Sequence, residues 1–380
     1  MSPILSIVIP TKNRYDYLKY LVNVLVQNCN SNFEIVIHDN SDDNNLFLLY
    51  INKINDNRIK YKHVNHWVSV VENCNLAVEM ATGEYVCMIG DDDGILIDNS
   101  LKVVNYLKEN SIDAALVNPL VYTWPDSGHA VWKDSFSGKV LLQNYSYSYS
   151  YLSISEQLNE VVRKGASFGL GKLPRVYHGF VSKEVLDKLW NDVGTYFPGP
   201  SPDMANAVGV CKFINRYVYA DFPTVISGCS GKSTAGQGGL KKHHGSIDEQ
   251  THLPKDTGKN WNVLIPKFWS GPTIYSESAY QTLTKTNQSI IQKFNYNYLY
   301  ACCLVYEHNY KNMIISTVKF NNKGKVEFVY FYILFYMFKI LFKRTLNFIK
   351  NIYFYKCKKE TIESSNIMDL ITILERYYKI

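Results

Sequence analysis

Three adjacent carboxylates, Asp91-Asp92-Asp93, close the apolar run Tyr85-Val86-Cys87-Met88-Ile89-Gly90. Neighbouring carboxylates repel one another unless positive charge sits on them, and hard oxygens at a strand end suit a divalent cation such as Mg2+ or Mn2+. A cation held by Asp91, Asp92 or Asp93 could carry a diphosphate. Two more polar clusters follow apolar runs in the same way: Pro10-Thr11-Lys12-Asn13-Arg14 and Asp39-Asn40-Ser41. Asp39 can accept the N3 proton of a uracil or bind ribose hydroxyls, although Asp39-Asn40-Ser41-Asp42 also has the composition of a turn and helix cap. Arg14 can meet phosphate in a charge-assisted bond, or be an ordinary residue of a first helical turn. Asn65 and Asn73 could face the same ligand.

The elements that must position these residues alternate. Leu5 to Ile9, Phe33 to His38, Ile59 to His63 and Tyr85 to Ile89 are short apolar or β-branched runs, while Tyr15 to Gln27 and Val70 to Met80 repeat apolar residues at helical spacing. Such alternation predicts an α/β fold, a mostly parallel Rossmann-like sheet flanked by helices, with ligands beyond the carboxyl ends of the strands. All three polar clusters would then meet at one edge of one sheet.

Composition narrows the class. With 380 residues, 46% of them hydrophobic, the chain can bury a full core. Its eight cysteines form no CxxC pair, which predicts reduced thiols in a cytosolic compartment, and Met1 to Pro10 reads as a first strand rather than an export signal. Seven basic residues and no acidic one lie between Phe328 and Lys359, leaving 33 basic against 34 acidic residues elsewhere. A nearly neutral body argues against nucleic acid as a partner and puts any anionic partner at the C-terminal end.

Leu5-Ser6-Ile7-Val8-Ile9-Pro10-Thr11-Lys12-Asn13-Arg14, Ile35-Val36-Ile37-His38-Asp39-Asn40-Ser41 and Ala81-Thr82-Gly83-Glu84-Tyr85-Val86 leading into Asp91-Asp92-Asp93 together resemble the family-two inverting glycosyltransferases of GT-A fold. The resemblance covers about the first hundred residues and implies a nucleotide-binding role for Pro10, Thr11 and Asp39, with a metal on the triplet; Asn13, Arg14, Asn40, Asn65, Asp91 and Asp92 are further candidates for contact with the nucleotide. Gly90 stands where many relatives carry an acidic residue, and Cys74 where they carry Arg, so the register of the metal contacts is left open between Asp91 with Asp93 and Asp92 alone.

An enzyme of this kind needs a base opposite the leaving diphosphate. Asp203, in Phe197-Pro198-Gly199-Pro200-Ser201-Pro202-Asp203, is the candidate: the prolines stiffen its approach and present it at a first helical turn, where a carboxylate is favourable in any case. Gly228 to His244 is rich in glycine, lysine and histidine, which suggests a lid over the diphosphate with His243 or His244 as a further metal ligand. Tyr122, Trp124, Trp132 and the Tyr-Ser alternation from Tyr145 to Tyr151 are candidates for acceptor stacking or for core and strand positions.

The last third changes character. Ser276 to Tyr310 reads as helical, and Phe328 to Phe338 is an uncharged run too short to span a bilayer, after which Lys339, Lys343 and Lys350 form a stripe beside an apolar face. An interfacial helix on anionic lipid, with packing on the catalytic domain or on a second copy as the alternative, fits residues 326–359. The expected organisation is thus a catalytic domain at 1–265, divided into a nucleotide half at 1–110 and an acceptor half with the lid at 111–265. A helical extension at 266–325 and an amphipathic tail at 326–380 follow it. The expected activity is sugar transfer from a nucleotide-sugar donor to a glycan or lipid-linked acceptor at the cytoplasmic face of a membrane. The competing expectations are a sugar-phosphate nucleotidyltransferase and an inactive nucleotide-sugar-binding scaffold.

Overall fold

The computed structural model describes residues 3–128, 136–233, 236, 244–323, 327–356 and 360–380. Its first half alternates as the apolar spacing requires: β1 (Leu5–Thr11), α1 (Tyr15–Gln27), β2 (Phe33–Asp39), α2 (Asn45–Ile54), β3 (Ile59–His63), α3 (Val70–Glu79) and β4 (Tyr85–Met88). Then follow β5 (Gly94–Ile95), α4 (Ile97–Glu109), β6 (Ala114–Val117), β7 (Leu120–Thr123), β8 (Lys139–Leu141), β9 (Tyr149–Leu152), α5 (Ile154–Arg163), β10 (Gly179–Ser182), α6 (Lys183–Val193), α7 (Pro202–Gly209), β11 (Tyr217–Ala220) and β12 (Val225–Cys229). The C-terminal part is helical: α8 (Gly271–Thr286), α9 (Gln288–Ile291), α10 (Tyr296–Tyr306), α11 (Lys311–Asn321) and α12 (Glu327–Lys356), closed by β13 (Thr361–Glu363) and α13 (Ile367–Tyr378).

Every residue of β2 and all but Pro10 of β1 are buried, because helices cover both faces of the sheet. The strand order is β3-β2-β1-β4-β10-β6-β11-β9, parallel from β3 to β4 and mixed beyond. The winding reverses between β1 and β4, which opens a crevice past their carboxyl ends. A second sheet, β13-β8-β7-β12-β5, meets the loop after β4 through Gly228 of β12, whose amide donates to Asp93.

Three expectations change. The Tyr-Ser run is a strand only from Tyr149 to Leu152; Tyr147 has φ of 52°, which breaks the extended backbone ahead of it. Ile247, Leu253, Trp261 and Ile265 pack in one core with Tyr300, Cys303 and Ile340, so chain placed before 265 shares its interior with the helices placed after it. The segment 326–380 is not one tail: β13 pairs with β8, and Ile367, Leu370, Ile371 and Leu374 of α13 are buried in the core that holds β1 and α1. Among the described residues, no helix is long and apolar enough to cross a membrane.

Candidate active site

The chain after β1 turns on Asn13, whose φ of 56° is left-handed, and its amide donates to Ser41 Oγ at 2.6 Å. Asn13 Nδ2 donates to Asp42 Oδ2 and Asp42 N returns a bond to Asn13 Oδ1, so the loops after β1 and β2 clasp each other. That clasp aims Thr11 and Arg14, the residue preceding α1, at the loop after β4. Thr11 Oγ1 donates to Asp91 Oδ2 at 2.7 Å; Arg14 Nε reaches the same oxygen at 3.0 Å, and its Nη2 lies 2.6 Å from Asp91 Oδ1. Arg14 Nη1 is 3.6 Å from Asp92 Oδ1.

The triplet is enclosed rather than solvated: Asp91, Asp92 and Asp93 are 0%, 4% and 0% exposed. Burial pushes Asp91 up to about 7, against the pull of Arg14, and raises Asp92 with help from the charge of Asp93. Burial also pulls Arg14 down, but Asp91 and Asp92 more than restore it, so the guanidinium stays charged. Asp93 behaves differently. Burial would raise it, yet it lies below its ordinary range because His178 Nε2 sits 2.7 Å away and the amides of Gly90 and Gly228 each donate at 2.6 Å.

Asp93 is therefore committed to the scaffold, with Tyr177 Oη as a further donor at 3.3 Å. Asp92 is fixed at its backbone, where its carbonyl accepts Trp124 Nε1 at 2.8 Å, and Ser230 N donates to its Oδ2 at 3.1 Å. Gly228 makes this closeness possible: a Cβ there would stand 1.7 Å from the Asp92 carbonyl oxygen. Trp124, Tyr177, His178, Gly228 and Ser230 are site residues that sequence reasoning did not assign to the triplet. Their only signal was an apolar or glycine-rich strand context far along the chain.

Asp203 stands in the first turn of α7, behind Pro202, as its sequence predicts. It comes within electrostatic range of Asp93, His178 and Arg175, so the fold gathers the distant carboxylate onto the same centre. Burial and the charge of Asp93 raise Asp203 above the usual carboxylate range, opposed by His178 and Arg175. A carboxyl group poised upward in this way is a better proton acceptor than a fully solvated one.

The other expected residues are more divided. Asp39 is fully buried and bonded within the protein: Tyr15 and Tyr61 hydroxyls each donate to Oδ2 at 2.6 Å, and Ser41 N donates to Oδ1 at 2.8 Å. Asn40 is bonded to Asn73, whose Nδ2 also donates to the Thr11 carbonyl, so both brace the loops. Asn65 lies exposed in the connection before α3. His244 turns to Glu307, with Nδ1 at 2.7 Å from Oε2, whereas His243 and Trp132 lie outside the described residues. Tyr122 and Trp124 are buried, with Tyr122 Oη bonded to the Ser364 carbonyl, so neither offers a face to an acceptor.

Among the described residues, no group of three or more His, Cys, Asp or Glu forms a ready cage for a metal ion. A hard cation that takes one or two carboxylates and completes its shell with water and phosphate oxygens would draw on Asp92, whose Oδ1 lies 3.6 Å from Arg14 Nη1, and on Asp91, which would exchange part of its Arg14 pairing for the ion.

An α/β sheet with carboxylates, a hydroxyl and a guanidinium at its switch point has its polar groups where ligands bind in such sheets. Residues 6–161 match the Glycosyl transferase family 2. The chain is 27% identical over 128 residues to the glycosyltransferase GlyG of Streptococcus pneumoniae, covering 33% of this chain and 42% of GlyG. It is 33% identical over 95 residues to the putative colanic acid biosynthesis glycosyl transferase WcaA of Escherichia coli, covering 24% of this chain and 33% of WcaA. The chain thus spans less than half the length of either relative. Among solved structures it is similar to S. aureus TarS residues 1–349 in complex with UDP-GlcNAc, with 16% identity, a TM-score of 0.47 and coverage of 83% of this chain and 89% of that one.

Proposed function

We propose that the chain is an inverting, metal-dependent glycosyltransferase that moves a sugar from a nucleoside diphosphate, uridine-linked, to a glycan or lipid-linked oligosaccharide in bacterial surface polysaccharide assembly. The observation that carries this reading is the convergence of Thr11, Arg14 and the Asp91–Asp93 triplet at the switch point, within the segment that matches family 2, with Asp203 brought to the same centre.

Asp91 and Asp92 would hold Mn2+ or Mg2+, which supplies Lewis-acid neutralisation of the departing diphosphate when bound. Arg14 adds a fixed positive charge on the same side, suited to a phosphate oxygen. On the opposite side Asp203 takes the proton of the acceptor hydroxyl as that oxygen attacks the anomeric carbon in line, which inverts the configuration. Asp93, locked by His178 and two amides, keeps the loop in register while the other carboxylates do this work. A lipid-linked acceptor would place the reaction at the cytoplasmic face of a membrane.

The test is a panel of nucleotide sugars scored for thermal stabilisation and metal-dependent hydrolysis, repeated with Asp92→Ala and Asp203→Asn. Asp92→Ala should lose donor stabilisation, whereas Asp203→Asn should keep it and lose transfer. Donor binding without turnover by the wild type under any acceptor would instead make the chain a nucleotide-sugar-binding protein.

A further inference from the structure

The longest helix of the chain, α12, is apolar on two opposite faces. Its inner face is occupied: Ile333 and Ile340 are 2% and 3% exposed and pack with Tyr298 and Leu299 of α10, where the Tyr336 ring also lies 5.3 Å from that of Tyr298, tilted by 57°. Its outer face carries Phe328, Phe331, Phe335, Phe338, Phe342 and Ile349, each between 55% and 82% exposed. At about 100° per residue these six fall within an arc of about 80° opposite Ile333, and they run about 32 Å along the helix. A strip of five phenylalanines held in water is costly unless something covers it.

Charge decides what covers it. Lys339, Lys343 and Lys350 are all exposed and lie within about 40° of one another along one edge of the strip. No acidic residue occurs from Phe328 to Lys359. A second copy docked strip to strip would bring lysine rows together with no carboxylate beyond Glu327, at the helix start, to separate them, which disfavours self-association. The same rows complement anionic headgroups, while the phenylalanines reach the acyl boundary. A span across the bilayer is not an option, since no described helix is long and apolar enough.

We propose that the outer face of α12 is a docking surface for an anionic lipid bilayer, with the helix lying in the plane of the interface and its inner face still packed on α10. The surface stands apart from the sugar-transfer reading, because none of its residues belongs to the candidate active site.

The experiment is flotation of the purified full chain with vesicles of phosphatidylcholine alone and of phosphatidylcholine containing phosphatidylglycerol, at low and high salt. The wild type should float with the phosphatidylglycerol vesicles and be partly released by salt. Phe335→Ser with Phe338→Ser and Phe342→Ser should abolish flotation while the circular dichroism melt stays unchanged, because these side chains meet solvent. Lys339→Gln with Lys350→Gln should lower the partition coefficient about 30-fold, at about 1 kcal/mol for each lysine near the surface. Absence of flotation by the wild type overturns the proposal, as does flotation insensitive to both variants. A dimer seen by light scattering that the phenylalanine variant dissolves, in a chain that ignores vesicles, also overturns it and assigns the face to a second copy.

Discussion

Arg14 and Asp91 form a two-point ion pair, Nη2 to Oδ1 at 2.6 Å and Nε to Oδ2 at 3.0 Å, around a carboxylate with no exposed surface. The guanidinium is the positive charge that three adjacent carboxylates demand, and it comes from the first strand–helix turn rather than from the triplet's own loop. Removing it would leave a buried carboxylate uncompensated, which typically costs 3–5 kcal/mol.

Arg14→Ala should therefore lower unfolding free energy by about 3 kcal/mol in chelator, the low end of that range because Arg14 keeps some access to water. Mn2+ should return more of the lost melting temperature to this variant than it adds to the wild type, because the cation replaces the missing charge. Thermal melts with and without Mn2+ measure both; an equal metal response in the two proteins would dissociate Arg14 from the cation site.

Gly228 marks how tightly the second sheet is pressed on the triplet. A methyl group there would overlap the Asp92 carbonyl, and the overlap is with backbone, which cannot swing aside as a side chain can. Gly228→Ala should destabilise the protein by about 3 kcal/mol and weaken donor binding through the lost Gly228–Asp93 bond. Gly194→Ala is the control: it strains a left-handed glycine at φ of 73° with nothing within 4 Å, and should leave donor binding intact.

The nucleotide half was legible because its signals are local. Tyr15 to Gln27 and Ile59 to His63 coincide with α1 and β3, and the strand-end clusters of residues 10–14 and 91–93 do meet. What was not legible depends on contacts across long stretches of chain. His178 reaches Asp93 from 85 residues away and Trp124 reaches the Asp92 carbonyl across 32, and no periodicity encodes either. Asp39 shows a different limit: its turn chemistry was visible in Ser41, but the two tyrosine hydroxyls that enclose it arrive from α1 and β3. The acceptor aromatics failed for a related reason, since an apolar ring on a short strand has the same pattern whether it lines a groove or fills a core.

Asp203 should leave a signature in the pH dependence of transfer. A base must be ionised to accept a proton, so the rate should rise with pH through the Asp203 pKa, and burial places that limb above the ordinary carboxylate range. Asp203→Asn should remove the limb and about a thousandfold of the rate, with donor affinity kept. A limb that persists in Asp203→Asn would assign the proton transfer to another group.

The last helix belongs to the core of β1 and α1 although it follows the basic stretch. Leu374 is fully buried against the core of β1 and α1, and Tyr122 Oη bonds to the Ser364 carbonyl beside β13. Leu374→Ala should cost about 3 kcal/mol by denaturant unfolding, as expected for a leucine removed from a closed core. A chain ending at residue 359 should lose catalytic-domain stability even though every residue assigned to the active site is retained.

Glu277 offers a pH test outside the active site. It is fully buried on α8, where Asn262 N and Gln281 Nε2 are its donors, and burial pushes it up to about 7. Its folded value lies above its unfolded one, so the native state binds a proton that the unfolded chain releases between about pH 4.5 and 7. The stability it contributes is complete below that window and is lost as pH rises through it, by on the order of 3 kcal/mol. Glu277→Gln keeps the shape and stays neutral, so its stability should fall less than that of the wild type between pH 5 and pH 8. Denaturant midpoints across that range measure the difference, and parallel curves for the two proteins would show that Glu277 is ionised in the folded state throughout.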